Sequence, residues 1–259
     1  MDMFIKEISD FYSEIALQRG IKLSNGKFGK VSVWKHGSTQ KLFLQKQIAP
    51  KMFNEIEPYI HQLMAKNKYF IKLYYSFTSL RSHILIMDYI GGGDLFELLQ
   101  REHRVSIDDT RSIVTQLIEA LTALHNKGYI HNDIKLENIM YSGRQIYLCD
   151  YGLCHRIYDE SCYDGTIDYF SPEKIAGALC DSHFDYWAVG ILTYELLTGN
   201  HPYKVCDDEV LTIDKLAARQ RRKIVFPSNV PLVAQHFISL VLKYNLNLRL
   251  ITFENCLFF

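Results

Sequence analysis

Residues 130–140 read Ile-His-Asn-Asp-Ile-Lys-Leu-Glu-Asn-Ile-Met, placing an aspartate (Asp133) two positions before a lysine (Lys135) and five before an asparagine (Asn138). Strand-forming residues flank the stretch and can hold a short loop at both ends. Inside that loop a carboxylate can orient an attacking hydroxyl and accept its proton, an ammonium can neutralise a phosphoryl oxygen, and an amide oxygen suits a hard cation such as Mg2+. Twelve positions beyond Asn138, the apolar run Ile146-Tyr-Leu-Cys149 ends in Asp150-Tyr151-Gly152, which adds a second hard ligand.

The remaining composition allows such chemistry and excludes several alternatives. A chain of 259 residues, 48% of them hydrophobic, has the length of one large domain or two lobes with a sizeable core. Its 29 basic and 29 acidic residues balance, so net charge selects neither nucleic acid nor an anionic membrane as partner. The basic run Arg219-Gln-Arg-Arg-Lys223 has no interleaved aromatics and reads as a solvated loop or helix end. The 6 cysteines are scattered without a C-x-x-C pair or ligand-like histidine spacing, which argues against a zinc site or a disulfide framework and for a reducing compartment. Early charges at Asp2, Lys6, Glu7 and Asp10, and the lack of a long uncharged apolar run, predict a soluble intracellular protein without a membrane span.

Apolar residues at Phe4, Ile8, Phe11 and Ile15 recur at helical spacing and predict an amphipathic helix over residues 1–20, ending near Gly20 and packed on the main body, with a dimer interface as the alternative. Strand-like runs follow at Val31–Trp34, Lys41–Lys46, Phe70–Phe77 and His83–Tyr89, interrupted by a helix that Asn54-x-x-Glu57 would open as a capping box with Pro58 in its first turn. Gly91-Gly92-Gly93 breaks this pattern, and the segments Asp94–Gln100, Ser106 to Gly128 and Phe184–Leu197 read as helices. The expected class is therefore α+β, with a sheet-rich lobe over residues 21–90 and a helical lobe over residues 91–259.

The H-x-D-x-x-x-x-N spacing of His131, Asp133 and Asn138, followed by Asp150-Tyr-Gly, resembles the eukaryotic-type protein kinases, and the resemblance extends over nearly the whole chain. It implies the bilobal kinase fold: a small antiparallel-sheet N-lobe with one regulatory helix, and a larger helical C-lobe. It implies ATP as phosphoryl donor and Mg2+, with Mn2+ as the alternative. Ser24-Asn-Gly26-Lys-Phe-Gly29-Lys-Val31 is similar to the family's glycine loop except that Ser24 replaces the first glycine. Lys46 then takes the place of the lysine that grips the α- and β-phosphates, and Leu44 that of a small residue over adenine. Glu55 is preferred over Glu57 as the partner of Lys46, because it keeps to the same helical face. The resemblance puts Met87 at the gatekeeper position, Asp88 and Ile90 at the hinge, Asp94 on the ribose, and Val31 and Met140 among the nucleotide-binding positions. Asn138 and Asp150 become the metal ligands, and Asp133, Lys135, Lys46 and Thr166 the catalytic group.

Gly165-Thr166-Ile-Asp-Tyr169-Phe-Ser171-Pro172-Glu173 is similar to the end of the activation segment in serine/threonine kinases. There the threonine bonds the catalytic aspartate and lysine, Glu173 is expected to pair with Arg249, and Asp185 to anchor the catalytic loop. Many kinases carry, where Asn132 stands, an arginine that waits for a phosphate on this segment, and asparagine lacks that charge. The position that often carries the phosphothreonine falls near Cys162, beside Ser161. These features predict activity without activation-segment phosphorylation. Asn132, the Asp-Tyr-Gly triplet and the runs Phe70–Ser76 and Ile84–Tyr89 look most like the small kinases encoded by baculoviruses. That likeness implies action late in infection in the host cytoplasm or nucleus, on a small arginine-rich DNA-condensing virion protein. Asp94, Glu137 and Glu195 fall where acids receive basic residues of a protein substrate. Rival readings are a pseudokinase scaffold, which Ser24 and Leu44 favour mildly, and an aminoglycoside-kinase type of enzyme, which would not carry Gly165-Thr166 through Glu173. The short stretch after Arg249, ending at Cys256-Leu-Phe-Phe259, would leave apolar surface for a partner or a second copy.

Overall fold

The computed structural model describes residues 2–18, 30–206 and 208–249. Gly20, the loop of Ser24, Gly26 and Gly29, and the end from Cys256 to Phe259 lie outside the described residues. The chain divides into two units: the first runs to Gly91 without Asn67–Phe70, and the second comprises Asn67–Phe70 and the chain from Gly92 onward.

In the first unit, α1 (Asp2–Glu14) leads into β1 (Ile15–Leu17), β2 (Lys30–His36), β3 (Leu42–Ile48), α2 (Ile56–Leu63), β4 (Leu73–Thr78) and β5 (His83–Asp88). The strands form one antiparallel sheet in the order β1-β2-β3-β5-β4. The expected helix over residues 1–20 stops at Glu14. Gly37 N–H donates to the Glu14 carbonyl at 2.7 Å, and Ile15–Leu17 pair with Trp34–His36, so strand ladder bonds replace the next helical turn. The helix lies on the sheet: Phe11 meets the rings of Phe43 and Tyr75 at 5.2 and 5.3 Å, and Tyr12 donates to Gln45 at 3.0 Å. Register sets Val31 opposite Lys46 and Leu44 opposite both Val33 and Met87, so these five share the other face of the sheet. The run expected to be a strand from Phe70 begins only at Leu73; Phe70 instead bridges Leu148 within the second unit.

The second unit contains α3 (Leu95–Glu102), α4 (Ile107–His125), β6 (Tyr129–Ile130), β7 (Ile139–Ser142), β8 (Gln145–Leu148), β9 (His155–Arg156), α5 (Pro172–Ile175), α6 (Ser182–Thr198), α7 (Ile213–Gln220) and α8 (Leu232–Val241). Side-chain caps open five of these helices: Asp94 accepts from Glu97 N–H at 2.8 Å, Ser106 from Asp109 N–H at 3.1 Å, Ser171 from Lys174 N–H at 3.2 Å, Asp181 from His183 N–H at 3.0 Å and Thr212 from Lys215 N–H at 3.3 Å. Ile113, Leu117, Leu121 and Leu124 form the buried stripe of α4, while α6 is buried on nearly every side and carries the fully buried Trp187. The core of the unit therefore lies around α6, whose first turn supplies Asp185 to the loop after β6.

Candidate active site

In the first unit Lys46 Nζ donates to Glu57 Oε1 at 2.7 Å, and both side chains are buried. This corrects the choice of Glu55, which is exposed at the N-terminal boundary of α2. Asn54 Oδ1 accepts from Ile56 N–H at 3.1 Å, and Glu57 meets the lysine from the first turn of α2. An unpaired buried ammonium is costly, which favours the buried Glu57 over the exposed Glu55 as its partner.

The second unit assembles the loop residues. Asp185 Oδ2 and Oδ1 accept from the main-chain N–H groups of His131 and Asn132, each at 2.8 Å, and His125 Nε2 lies 2.8 Å from Oδ2. Burial alone would push the Asp185 carboxyl up; the hydrogen bond and charge of His125, with the loop's own donors, reverse this and hold it low. Asn132 thus follows an anchored turn with φ of 68°, a left-handed conformation that asparagine tolerates better than most residues. The next side chain is the candidate base. Asp133 Oδ1 accepts from Thr166 Oγ1 at 2.8 Å, and Oδ2 accepts from Asn138 Nδ2 at 3.0 Å and lies 3.1 Å from Lys135 Nζ. Lys135 also donates to Thr166 Oγ1 at 3.1 Å. Thr166, Asn138 and Lys135 therefore converge on the one buried carboxylate of Asp133.

The interval between Asn138 and Asp150 has a structural cause. β7 and β8 form a hairpin in which Ile139 faces Leu148, closed by Gly143 and Arg144 with φ of 58° and 66°. Two successive left-handed residues match a tight two-residue hairpin turn. At the open end Cys149 N–H donates to the Asn138 carbonyl at 3.1 Å, bringing the asparagine beside the backbone that leads into Asp150. The Asn138 amide nitrogen is spent on the Asp133 carbonyl and carboxylate, which leaves its oxygen to offer, and Asp150 contributes a carboxylate. Two hard oxygen donors without a closed protein cage fit Mg2+, which keeps waters and takes phosphate oxygens as further ligands. Tyr151 is fully buried, where its hydroxyl donates to the Leu148 carbonyl at 2.5 Å. Gly92 permits the approach of this hairpin: an added Cβ would lie 2.0 Å from the Tyr141 carbonyl.

A protein kinase domain model matches residues 17–257. The chain belongs to the protein kinase family. The kinase is 53% identical over 256 residues to the "Serine/threonine-protein kinase 1" of Heliothis zea nuclear polyhedrosis virus, a match covering 98% of this chain and 96% of that one. It is 49% identical over 258 residues to the protein of the same name from Lymantria dispar multicapsid nuclear polyhedrosis virus, covering 98% and 94%. The solved structure of the Cydia pomonella granulovirus kinase PK-1 superposes with a TM-score of 0.88 at 31% identity, covering 98% of this chain and 96% of that one. The kinase is thus a serine/threonine protein kinase with the expected α+β kinase fold, similar to baculovirus kinases, and as a member of its family it uses ATP and a divalent cation. Among the described residues no helix is long and apolar enough to cross a membrane.

Of the other positions singled out from sequence, Leu44 and Val31 are half-buried on the Lys46 face of the sheet, and Met87 is buried there. Asp88 bonds Tyr74 and Lys41 through its side chain, with Ile90 just beyond the end of β5. In the second unit Asp94 caps α3 and bridges Met140 through the backbone.

Sequence reasoning missed a second cluster, formed by Asp164, Lys174 and His155 around Asn132. Burial by itself raises the Asp164 carboxyl, but hydrogen bonds from His155 and Asn132 and the charge of Lys174 more than reverse this and hold it at about 2. A folded-state value below the unfolded one means a contribution to stability that is present above about pH 4 and lost as the pH falls towards 2. The contribution is about 1 kcal/mol after allowance for solvent screening. Denaturation midpoints of wild type and Asp164→Asn, measured from pH 5 down to pH 2, are expected to converge; a constant gap between them would contradict this.

Proposed function

We propose that this kinase moves the γ-phosphoryl group of ATP, in line, to serine or threonine hydroxyls of basic proteins, and does so without a phosphate on its activation segment. The observation that carries the reading is the closed set of contacts among Asp133, Lys135, Asn138 and Thr166. Asp133 orients the acceptor hydroxyl and takes its proton, while Lys135 neutralises charge on the phosphoryl oxygens. Thr166 holds the Asp133 carboxylate and leaves the acceptor space beside it. In the first unit Lys46, steadied by Glu57, grips the α- and β-phosphates. Asn138 and Asp150 hold Mg2+, which supplies charge neutralisation at the phosphates. Nucleotide binding draws further on Ser24, Gly26, Gly29, Val31, Leu44, Met87, Asp88, Ile90, Asp94 and Met140. Most of the acceleration comes from positioning and charge stabilisation.

Preference for basic substrates is supported by acids on the second unit. Glu137 is exposed, Asp94 is half-buried, and Glu195 accepts from Tyr169 OH at 2.5 Å. Burial pushes the Glu195 carboxyl up to about 8, so that a guanidinium arriving beside it would favour its ionised form. The proposal extends to action late in infection, with an arginine-rich DNA-condensing virion protein as substrate.

The test is transfer from labelled ATP, with Mg2+, onto an arginine-rich protein, comparing phosphatase-treated wild type with Asp150→Asn. Transfer by wild type and none by Asp150→Asn is expected. Nucleotide binding without transfer by either would favour a scaffold.

A further inference from the structure

The turn after Ser171-Pro172-Glu173 carries a buried cation that no part of the mechanism uses. Lys174 is 3% exposed, and its Nζ donates to Asn132 Oδ1 at 2.5 Å and to the Asp164 carbonyl at 2.7 Å. The same atom lies 3.6 Å from Asp164 Oδ1 and 4.4 Å from the centre of the Phe170 ring. The Asp164 carboxylate is held from two other sides, by Asn132 Nδ2 at 2.9 Å and by His155 Nε2 at 2.8 Å. Asn132 Nδ2 also reaches the Leu153 carbonyl at 3.0 Å. The cluster therefore ties together the start of the activation segment (Leu153, His155), its later part (Asp164), its end (Lys174) and the catalytic loop (Asn132).

Both strands of chain leaving this cluster run straight into the catalytic contacts. Asn132 precedes Asp133, and Asp164 precedes Gly165 and Thr166, whose hydroxyl bonds Asp133. Gly165 sits at φ of 98°, and an added Cβ would fall 3.0 Å from the Asn132 carbonyl, so the two strands are pressed together where the cluster joins them.

We propose that Lys174 and Asp164 are positioning residues that do permanently what a phosphate and an arginine do in a switched kinase: the Asp164 carboxylate stands in for the phosphate, and the Lys174 ammonium for the arginine that Asn132 lacks. This rests on the phosphoryl-transfer reading given above and names its means of regulation. A phosphate-dependent segment is loose until modification supplies the missing anion for a waiting guanidinium. Here anion and cation are both encoded in the chain and already paired, and the cation reaches the site from the far end of the segment it must order. Asn132 supports the arrangement because its amide donates to the anion and accepts from the cation at once, which an arginine, having no acceptor, does not do. Cys162 is exposed and has no hydroxyl, and Ser161 takes part in none of these contacts.

The experiment compares phosphatase-treated wild type, Ser161→Ala, Lys174→Met, Asp164→Asn and the double variant Asn132→Arg/Lys174→Met. For each, kcat and KM on an arginine-containing serine peptide are measured, together with affinity for a non-hydrolysable ATP analogue and the melting temperature. Ser161→Ala is expected at the wild-type rate. Lys174→Met and Asp164→Asn are expected to lose about a hundredfold in kcat, the scale of a misplacement of about 1 Å, with nucleotide affinity unchanged. The double variant is expected to regain at least about tenfold of that loss, because a guanidinium from position 132 can pair with Asp164 in a fork. Should Lys174→Met fail to fold, Asp164→Asn decides, since its half-buried side chain leaves no stranded ammonium-sized cavity. Wild-type kcat in either single variant, loss of nucleotide affinity in parallel with kcat, or no recovery in the double variant overturns the proposal. Transfer by none of the proteins, wild type included, defeats the phosphoryl-transfer reading instead.

Discussion

Asp133→Ala is expected to lower kcat on a serine peptide by roughly a thousandfold or more while the affinity for ATP stays near that of wild type. The carboxylate meets Thr166, Asn138 and Lys135 and no other described cation, so its removal takes away the proton acceptor and the point on which the other three converge. Lys135 and Thr166 keep their own contact at 3.1 Å, so the shell is expected to survive as a fold element. Because the missing interaction is made with the acceptor hydroxyl as it reacts, the loss belongs in kcat rather than in nucleotide binding. Single-turnover transfer and calorimetric titration with an ATP analogue separate the two. Turnover near the wild-type value would remove Asp133 from its role; equal losses in turnover and ATP affinity would make it a structural residue.

The largest effect on stability is expected at Arg249. Its guanidinium forks onto Glu173, with Nη2 to Oε2 at 2.9 Å, while Nε donates to the Lys243 carbonyl at 2.9 Å and the plane lies 4.8 Å from the Trp187 ring centre. The Arg249 side chain is fully enclosed, and Glu173 is nearly so. Arg249→Ala strands the Glu173 carboxylate in that environment and is expected to cost about 3–5 kcal/mol, which for a chain of this size lowers the melting temperature by about 10 °C or more. Converting both partners to apolar residues, as Glu173→Leu/Arg249→Met, is expected to recover much of the loss, since no buried charge is then left alone. Thermal unfolding of both variants decides the matter. A melting temperature for Arg249→Ala within a few degrees of wild type would mean that water reaches Glu173 freely. The pair has a second importance: Glu173 precedes Lys174, so the bond that secures the core also fixes the turn from which the buried lysine extends.

Much of this was readable from local pattern, and the exceptions share one cause. Asp94, Ser106 and Ser171 cap the helices they precede, because a cap is a contact within three residues and leaves its trace in adjacent letters. The contacts of Asp133 with Lys135 and Asn138 were legible because a short loop imposes fixed spacings. Glu57 was misjudged because two readings of the same residue compete: Asn54-x-x-Glu57 spells a local cap, and only the sheet in three dimensions reveals the lysine that draws the carboxylate away. Ile15–Leu17 formed a strand too short to show alternation, and its partner Trp34–His36 is distant in the sequence. Lys174 was the least visible. A lysine near a helix start reads as solvated, and the acceptors that bury it, Asn132 and Asp164, are brought to it by tertiary folding.

The hairpin of β7 and β8 bears on how such chains are compared. The Asn138 carbonyl and the N–H of Cys149, the residue before Asp150, are brought together at the end of a ladder, and that contact does not depend on how many residues complete the turn at Gly143 and Arg144. A relative with a longer tip would keep the same contact at the open end, whereas one extra residue in either strand would send every later side chain to the opposite face. The interval between these two positions is therefore better counted in paired rungs than in residues, and alignments of divergent members should place their gaps at the tip.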